Sequence, residues 1–176
     1  IGICAGVPVT DKDKIFEDTI KRANCLAFTA KEQISISHEV KDLYESENKN
    51  KAVSSDINSL SIEEEAFIME LMDYIETIWS HSNITVSDFH KNLGYSKSKL
   101  YRTMMNLIGT SPNHFLKSYR LNKALQLLEK QHSNISEIAY KTGFSSPAYF
   151  SKCFQEAYGM LPSKYMKQVG VMQNES

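Results

Sequence analysis

The stretch Gly143-Phe144-Ser145-Ser146-Pro147-Ala148-Tyr149-Phe150-Ser151-Lys152-Cys153-Phe154 governs the reading of the rest of the chain. A glycine able to take the left-handed conformation ends one helix, and a hydroxyl side chain caps the next. Ser145 is the expected cap. Phe150, Cys153, Phe154 and Ala157 recur at helical spacing and are expected to be buried. Pro147, Ala148, Ser151, Lys152 and Gln155 then fall on the opposite face.

Upstream, the same pattern occurs once more. Val86–Phe115 matches Ile135–Tyr165 when shifted by 49 residues, then by 50 after one inserted residue. Gly94-Tyr95-Ser96 pairs with Gly143-Phe144-Ser145, Arg102 with Lys152, Gly109 with Gly159 and Pro112 with Pro162. Two copies are too few for a solenoid, so the repeat reads as duplicated tri-helical units. A short helix, a tight glycine turn and a capped second helix form the helix-turn-helix pattern, whose second helix can enter the DNA major groove.

In the first copy, Leu100, Met104 and Leu107 face the core, with Thr103 beside them. Ser98, Tyr101, Arg102 and Met105 lie opposite, joined by Lys97 and Lys99. Arginine can pair bidentately with guanine, serine and glutamine reach several base edges, and alanine or proline packs on a thymine methyl. Arg102 and Lys152 lead the candidates, with a phosphate contact or a solvated charge as the alternative role for each. Pro112 to Gln131 reads as one amphipathic helix of about 27 Å over eighteen residues. That length suits a spacer between recognition helices one DNA turn, about 34 Å, apart.

Charge divides the chain in the same place. Residues 1–83 hold 8 Lys+Arg against 16 Asp+Glu, and residues 84–168 hold 12 against 4. An acidic half and a basic half suggest two roles, the basic one directed at a polyanion. Hydrophobic residues at 41% and charged residues at 23% exclude a disordered or fibrous chain. No apolar run reaches the ~20 residues of a membrane span. Cys4, Cys25 and Cys153 form no CxxC pair, which fits a reducing cytoplasm and buried thiols. The chain opens on Ile1 rather than Met, as a piece of a longer protein would.

Residues 1–47 read as a small α/β segment: a strand over Ile1–Val9, a helix over Ile15–Ala30, a strand at Gln33–Ser37 and a short helix capped by Ser37. The first helix carries the stripe Phe16, Ile20, Ala23, Leu26 and Ala27, and the second carries Val40, Leu43 and Tyr44. Residues 48–61 are polar and aperiodic and read as a linker. Ser61 and Glu64 then form a capping box for a helix from Ile62 to about Trp79, with Phe67, Ile68, Leu71, Met72, Ile75 and Ile78 buried.

Other classes carry less. Glu63, Glu64 and Glu65 stand at a helix start, where the macrodipole accounts for them without catalysis. His38, His81, His90, His114 and His132 lack metal-ligand spacing, so no metal, cofactor or enzymatic role is expected. The remaining alternative is a protein-interaction or ligand-sensing module, with the stripe Phe67–Ile78 as a partner surface and a basic half that binds nucleic acid only non-specifically.

Gly94-Tyr95-Ser96 through Leu100-Tyr101-Arg102, Gly109-Thr110-Ser111-Pro112, Arg120-Leu121-Asn122-Lys123-Ala124 and the run from Ile135 through Phe154 resemble the C-terminal domain of AraC/XylS-family transcription regulators. That resemblance covers about half the chain. It implies a mainly α fold: a seven-helix double helix-turn-helix domain of homeodomain-like units over residues 62–168, after the small α/β segment and before a tail at 169–176. It also implies transcription regulation through double-stranded DNA, with RNA polymerase as a further partner. Carried over residue by residue, the family's groove positions fall on Lys97, Ser98, Tyr101 and Arg102, then on Pro147, Ala148, Ser151 and Lys152. His90 departs from the family's usual small alanine. Residues 1–47 are similar to the C-terminal end of class III nucleotidyl cyclase domains, with Lys21 and Cys25 where those enzymes hold a catalytic Asn and Arg. A degenerate remnant serving as a sensor fragment or self-association surface is one reading of them, and an unrelated α/β fragment is the other.

Overall fold

A computed structural model describes residues 1–6, 17–29, 33–48, 53–130 and 133–174. Its elements are β1 (Gly2–Ile3), α1 (Glu17–Ala27), β2 (Ile34–Ile36), α2 (His38–Glu47), β3 (Ile57–Ser59), α3 (Ile62–Ile78), α4 (Val86–Asn92), α5 (Lys97–Leu107), α6 (Pro112–Lys130), α7 (Ile135–Lys141), α8 (Pro147–Tyr158) and α9 (Pro162–Asn174). The fold is mainly helical, and α3–α9 are the seven helices the resemblance implies. The chain divides into two units, Ile1–Tyr74 with Ser98–Thr110, and Ile75–Lys97 with Ser111–Ser176.

In the first unit, β1, β2 and β3 form a parallel sheet in that order, with Gly2 opposite Ser35 and Ile34 opposite Ile57. β3 lies in the stretch read as a linker. Three residues with one apolar side chain give no alternation to detect, and neighbouring β2 supplies the pairing. The half-buried alternation expected at Gln33–Ser37 is replaced by burial of Ser35, Ile36 and Ser37 together, as befits a central parallel strand covered on both faces. The buried Ser35 hydroxyl is satisfied by Thr29 Oγ1 at 3.0 Å and Asn58 Nδ2 at 3.2 Å.

Ser37 caps α2 as expected, its side chain accepting from Val40 N–H. On α1 the buried side chains are Cys25 and Leu26, while Ile20 and Ala27, expected on the buried stripe, are exposed. Leu43 and Tyr44 of α2 are likewise exposed. Val7–Val9, Ile15, Phe16 and Ala30 lie outside the described residues.

α3 begins with the expected capping box: Ser61 N–H donates to Glu64 Oε2 at 2.9 Å, and Glu64 N–H donates to Ser61 Oγ at 3.2 Å. All six residues of its stripe are buried, so the chain's own core takes up the surface that the interaction-module reading needed. Glu65, read as a helix-start charge that the macrodipole accounts for, has partners well beyond its own helix and turns inward. It accepts from Arg22 at 3.0 Å, and from the His38 backbone and ring at 2.7 Å each. Burial would raise its carboxyl, but these donors outweigh that and hold it below the usual glutamate value of 4.5.

The second unit is organised around α6. Leu121, Ala124 and Leu128 pack with Ile138 and Ala139 of α7, Phe144 of the turn, and Phe150, Cys153 and Phe154 of α8. Aromatic rings run through this core, Phe144 to Phe150 at 5.1 Å and Phe154 to Tyr158 at 4.6 Å. Arg120 of α6 donates from Nε to the Trp79 carbonyl at 2.7 Å and from the guanidinium tip to the His81 carbonyl. Trp79's ring lies under Lys123, with Nζ 5.4 Å from its centroid. α9 runs to Asn174, into the stretch read as a tail, where no proline stops it.

Both helix-turn-helix glycines take the left-handed conformation, Gly94 at φ 67° and Gly143 at φ 77°. A Cβ at Gly94 meets nothing within 4 Å, whereas at Gly143 it would stand 2.5 Å from the Trp79 carbonyl and 2.8 Å from Arg120 Nε. Gly94→Ala is therefore expected to cost about 1–2 kcal/mol in urea unfolding, and Gly143→Ala a further 1–3 kcal/mol or so, from the clash. Equal losses would show that the contact at Gly143 contributes nothing.

The depressed Glu65 value means that its contribution is fully present above pH 4.5 and fades as acid protonates the folded carboxylate. Glu65→Gln should lose about 1–3 kcal/mol at pH 7. The gap to wild type should narrow below about pH 4; a constant gap down to pH 3 would show that the charge is not its source.

Candidate nucleic-acid interface

The two repeat copies end their first helices in the same way. α4 and α7 each hold seven residues. Tyr95 N–H reaches back to the His90 carbonyl at 3.0 Å, and Phe144 N–H reaches the Ala139 carbonyl at 3.0 Å. Each bond closes a Schellman turn over its left-handed glycine. Phe89 and Ile138, paired by the 49-residue shift, are both fully buried, while His90, the departure from the family pattern, is half-buried.

Both first helices are capped at their starts through a pair three residues apart, with the hydrogen bond running in opposite directions. Thr85 N–H donates to Asp88 Oδ2 at 2.8 Å, and Glu137 N–H donates to Asn134 Oδ1 at 2.9 Å. Sequence reading passed over both caps, although Thr85-x-x-Asp88 and Asn134-x-x-Glu137 carry the signal.

The inserted residue can now be placed. Ser146, not Ser145, caps α8, its hydroxyl accepting from Tyr149 N–H at 3.2 Å. Ser96 precedes α5 as Ser146 precedes α8, so the 50-residue shift already holds at the cap and Ser145 is the extra turn residue. Pro147 follows in the first helical turn, where its missing N–H costs nothing.

Leu100 and Met104 are fully buried on α5, and Lys97, Ser98, Tyr101 and Arg102 are exposed, with Met105 at the margin. These four expected contact residues occupy one helix face. On α8, Phe150, Cys153 and Phe154 are buried, Ala148, Lys152 and Gln155 are exposed, and Pro147 and Ser151 are half-buried. Ala157, expected in the core, is exposed, because Tyr158 packs there instead. Lys152 stands 4.0 Å from Glu156 in an exposed i,i+4 pair, while Arg102 has no ion pair among the described residues. Both helices thus present a polar face, and on α5 Arg102 stands there without an ion pair among the described residues.

Away from these faces, Lys21 is ion-paired with Asp73, and Cys25 is buried, which pushes its thiol up to about 11. Among the described residues no group of three or more His, Cys, Asp or Glu could hold a metal, and no helix is long and apolar enough to cross a membrane.

Residues 90–168 match the family model described as a helix-turn-helix domain. The C-terminal domain of AraT, a response regulator from Geobacillus stearothermophilus, superposes with a TM-score of 0.55 at 30% identity, over 58% of this chain and 84% of that one. The chain belongs to the AraC-type helix-turn-helix family. Among relatives in sequence, the HTH-type transcriptional regulator YdeC of Bacillus subtilis is 34% identical over 93 residues, 51% of this chain and 32% of that protein. Histidine kinase P4 of Formosa agariphila is 35% identical over 121 residues, 69% of this chain. The chain spans 9% of that kinase and about a third of YdeC.

The cap assignment is open to a direct check. Ser146→Ala should cost about 0.5–2 kcal/mol in thermal or urea unfolding. Ser145→Ala should stay within about 0.5 kcal/mol of wild type. The reverse order would restore Ser145 as the cap.

Proposed function

We propose that this AraC-type chain is the DNA-reading segment of a transcription regulator, placing α5 and α8 in successive major grooves on one face of the duplex. The observation that carries the reading is the matched construction of its two helix-turn-helix copies, each with a left-handed glycine, a recognition helix buried along one side and a polar face left open. α6, at 19 residues, is about 28 Å long, of the order needed to span one turn of DNA.

In this reading Lys97, Ser98, Tyr101 and Arg102 meet the first half-site, and Pro147, Ala148, Ser151 and Lys152 meet the second. Residues 62–168 act as the DNA-binding domain. RNA polymerase is the partner on the promoter, and residues 1–47, with Leu43 and Tyr44 exposed, serve self-association.

Selection of random duplexes on the whole chain at low and moderate salt should enrich two half-sites about 10–10.5 base pairs apart. Arg102→Ala should then cost about 1–3 kcal/mol and relax specificity at one position of the first half-site. Uniform weakening on all sequences would make Arg102 a phosphate contact. Binding that vanishes at moderate salt with no enriched motif would leave only a basic surface.

A further inference from the structure

One feature of the second unit lies outside the two recognition faces. Beside the start of α6 is a cleft of about 480 Å³, walled by Ser111 just before that helix, by His114 and Lys117 in its first turns and Arg120 nearer its middle, and by Ser145 and Tyr149 around the start of α8. None of the described residues lining it carries a carboxylate. Arg120 is held there by the Trp79 and His81 carbonyls alone, so its half-buried charge has no anionic partner among the described residues. Lys117, half-buried, likewise has no ion pair among them. A second cation and the positive end of a 19-residue helix therefore converge on one uncompensated space.

We infer that this cleft takes a phosphate group of the DNA backbone, with Lys117 as its principal cation, and so sets the register of α8 in its groove. The inference rests on the DNA-reading proposal above. Continuity favours a phosphodiester over a free phosphate-bearing molecule: Ser145 and Tyr149, which line the cleft, flank in sequence the proposed contact positions Pro147 and Ala148. A backbone contact of this kind adds affinity and orientation without reading sequence.

The test is the salt dependence of binding by the whole chain to its selected duplex, followed by fluorescence anisotropy for wild type, Lys117→Gln and Lys117→Arg, with folding checked by circular dichroism. Loss of one phosphate contact lowers the slope of log affinity against log salt by about 0.9, so a fourfold rise in salt should shrink the wild-type advantage over Lys117→Gln about 3.5-fold. Lys117→Arg should keep the wild-type slope, and Lys117→Gln should leave the selected motif unchanged. Sequence-specific binding with equal slopes in wild type and Lys117→Gln overturns the cleft assignment and leaves the DNA-reading proposal standing; no DNA binding by wild type overturns both. A third arm compares thermal midpoints of the DNA-free chain in inorganic phosphate and chloride at equal ionic strength. A rise with phosphate in wild type but not in Lys117→Gln, together with equal DNA slopes, would assign the cleft to a free phosphate instead.

Discussion

The second unit depends on where one guanidinium is held. Arg120 reaches from the middle of α6 to the carbonyls of Trp79 and His81, at and just beyond the end of α3, groups that the helix itself leaves unsatisfied. Burial pulls its pKa below the usual arginine range, with no carboxylate among the described residues paired to restore it. Gly143 passes so close that a single methyl would collide with both Arg120 and the carbonyl it binds. One polar contact thus links the end of α3, the spacer helix and the turn that launches α8, and the aromatic core of α7 and α8 is built against the result.

That arrangement explains why the two copies differ without losing their common form. The first recognition helix is seated by Leu100 and Met104, while the second is seated by stacked rings of Phe144, Phe150 and Phe154. Their glycines do the same backbone work in different surroundings, one open and one crowded. The extra residue, Ser145, is accommodated where the chain is already turning, so helix length and the buried spacing of α8 are unaffected.

Much of this was legible in the sequence because the physics was local. Gly94 and Gly143, the capping box at Ser61 and Glu64, the α3 stripe and the opposed faces of α5 all follow from neighbours within one or two turns. What escaped depended on distant partners. β3 exists because β2 pairs with it, since Ile57-Asn58-Ser59 has almost no strand signal of its own. Glu65 is buried because Arg22 and His38 meet it from 43 and 27 residues away. Ser145 was preferred to Ser146 because two adjacent serines present the same chemistry, and only the hydrogen bond to Tyr149 separates them. The proposed contact residues follow from resemblance and periodicity together, whereas the Lys117 cleft draws on three separate segments and has no linear signature.

The chain contains a single tryptophan, and the fold puts it at the Arg120 junction. Indole emission from this protein therefore arises from one address, with the Lys123 ammonium 5.4 Å from the ring as a ready modulator of its colour and yield. The α/β segment is spectroscopically silent in that channel. Any shift seen on excitation at the red edge of the tyrosine band reports the Arg120 contact at the end of α3, without labels and without contribution from the rest of the molecule.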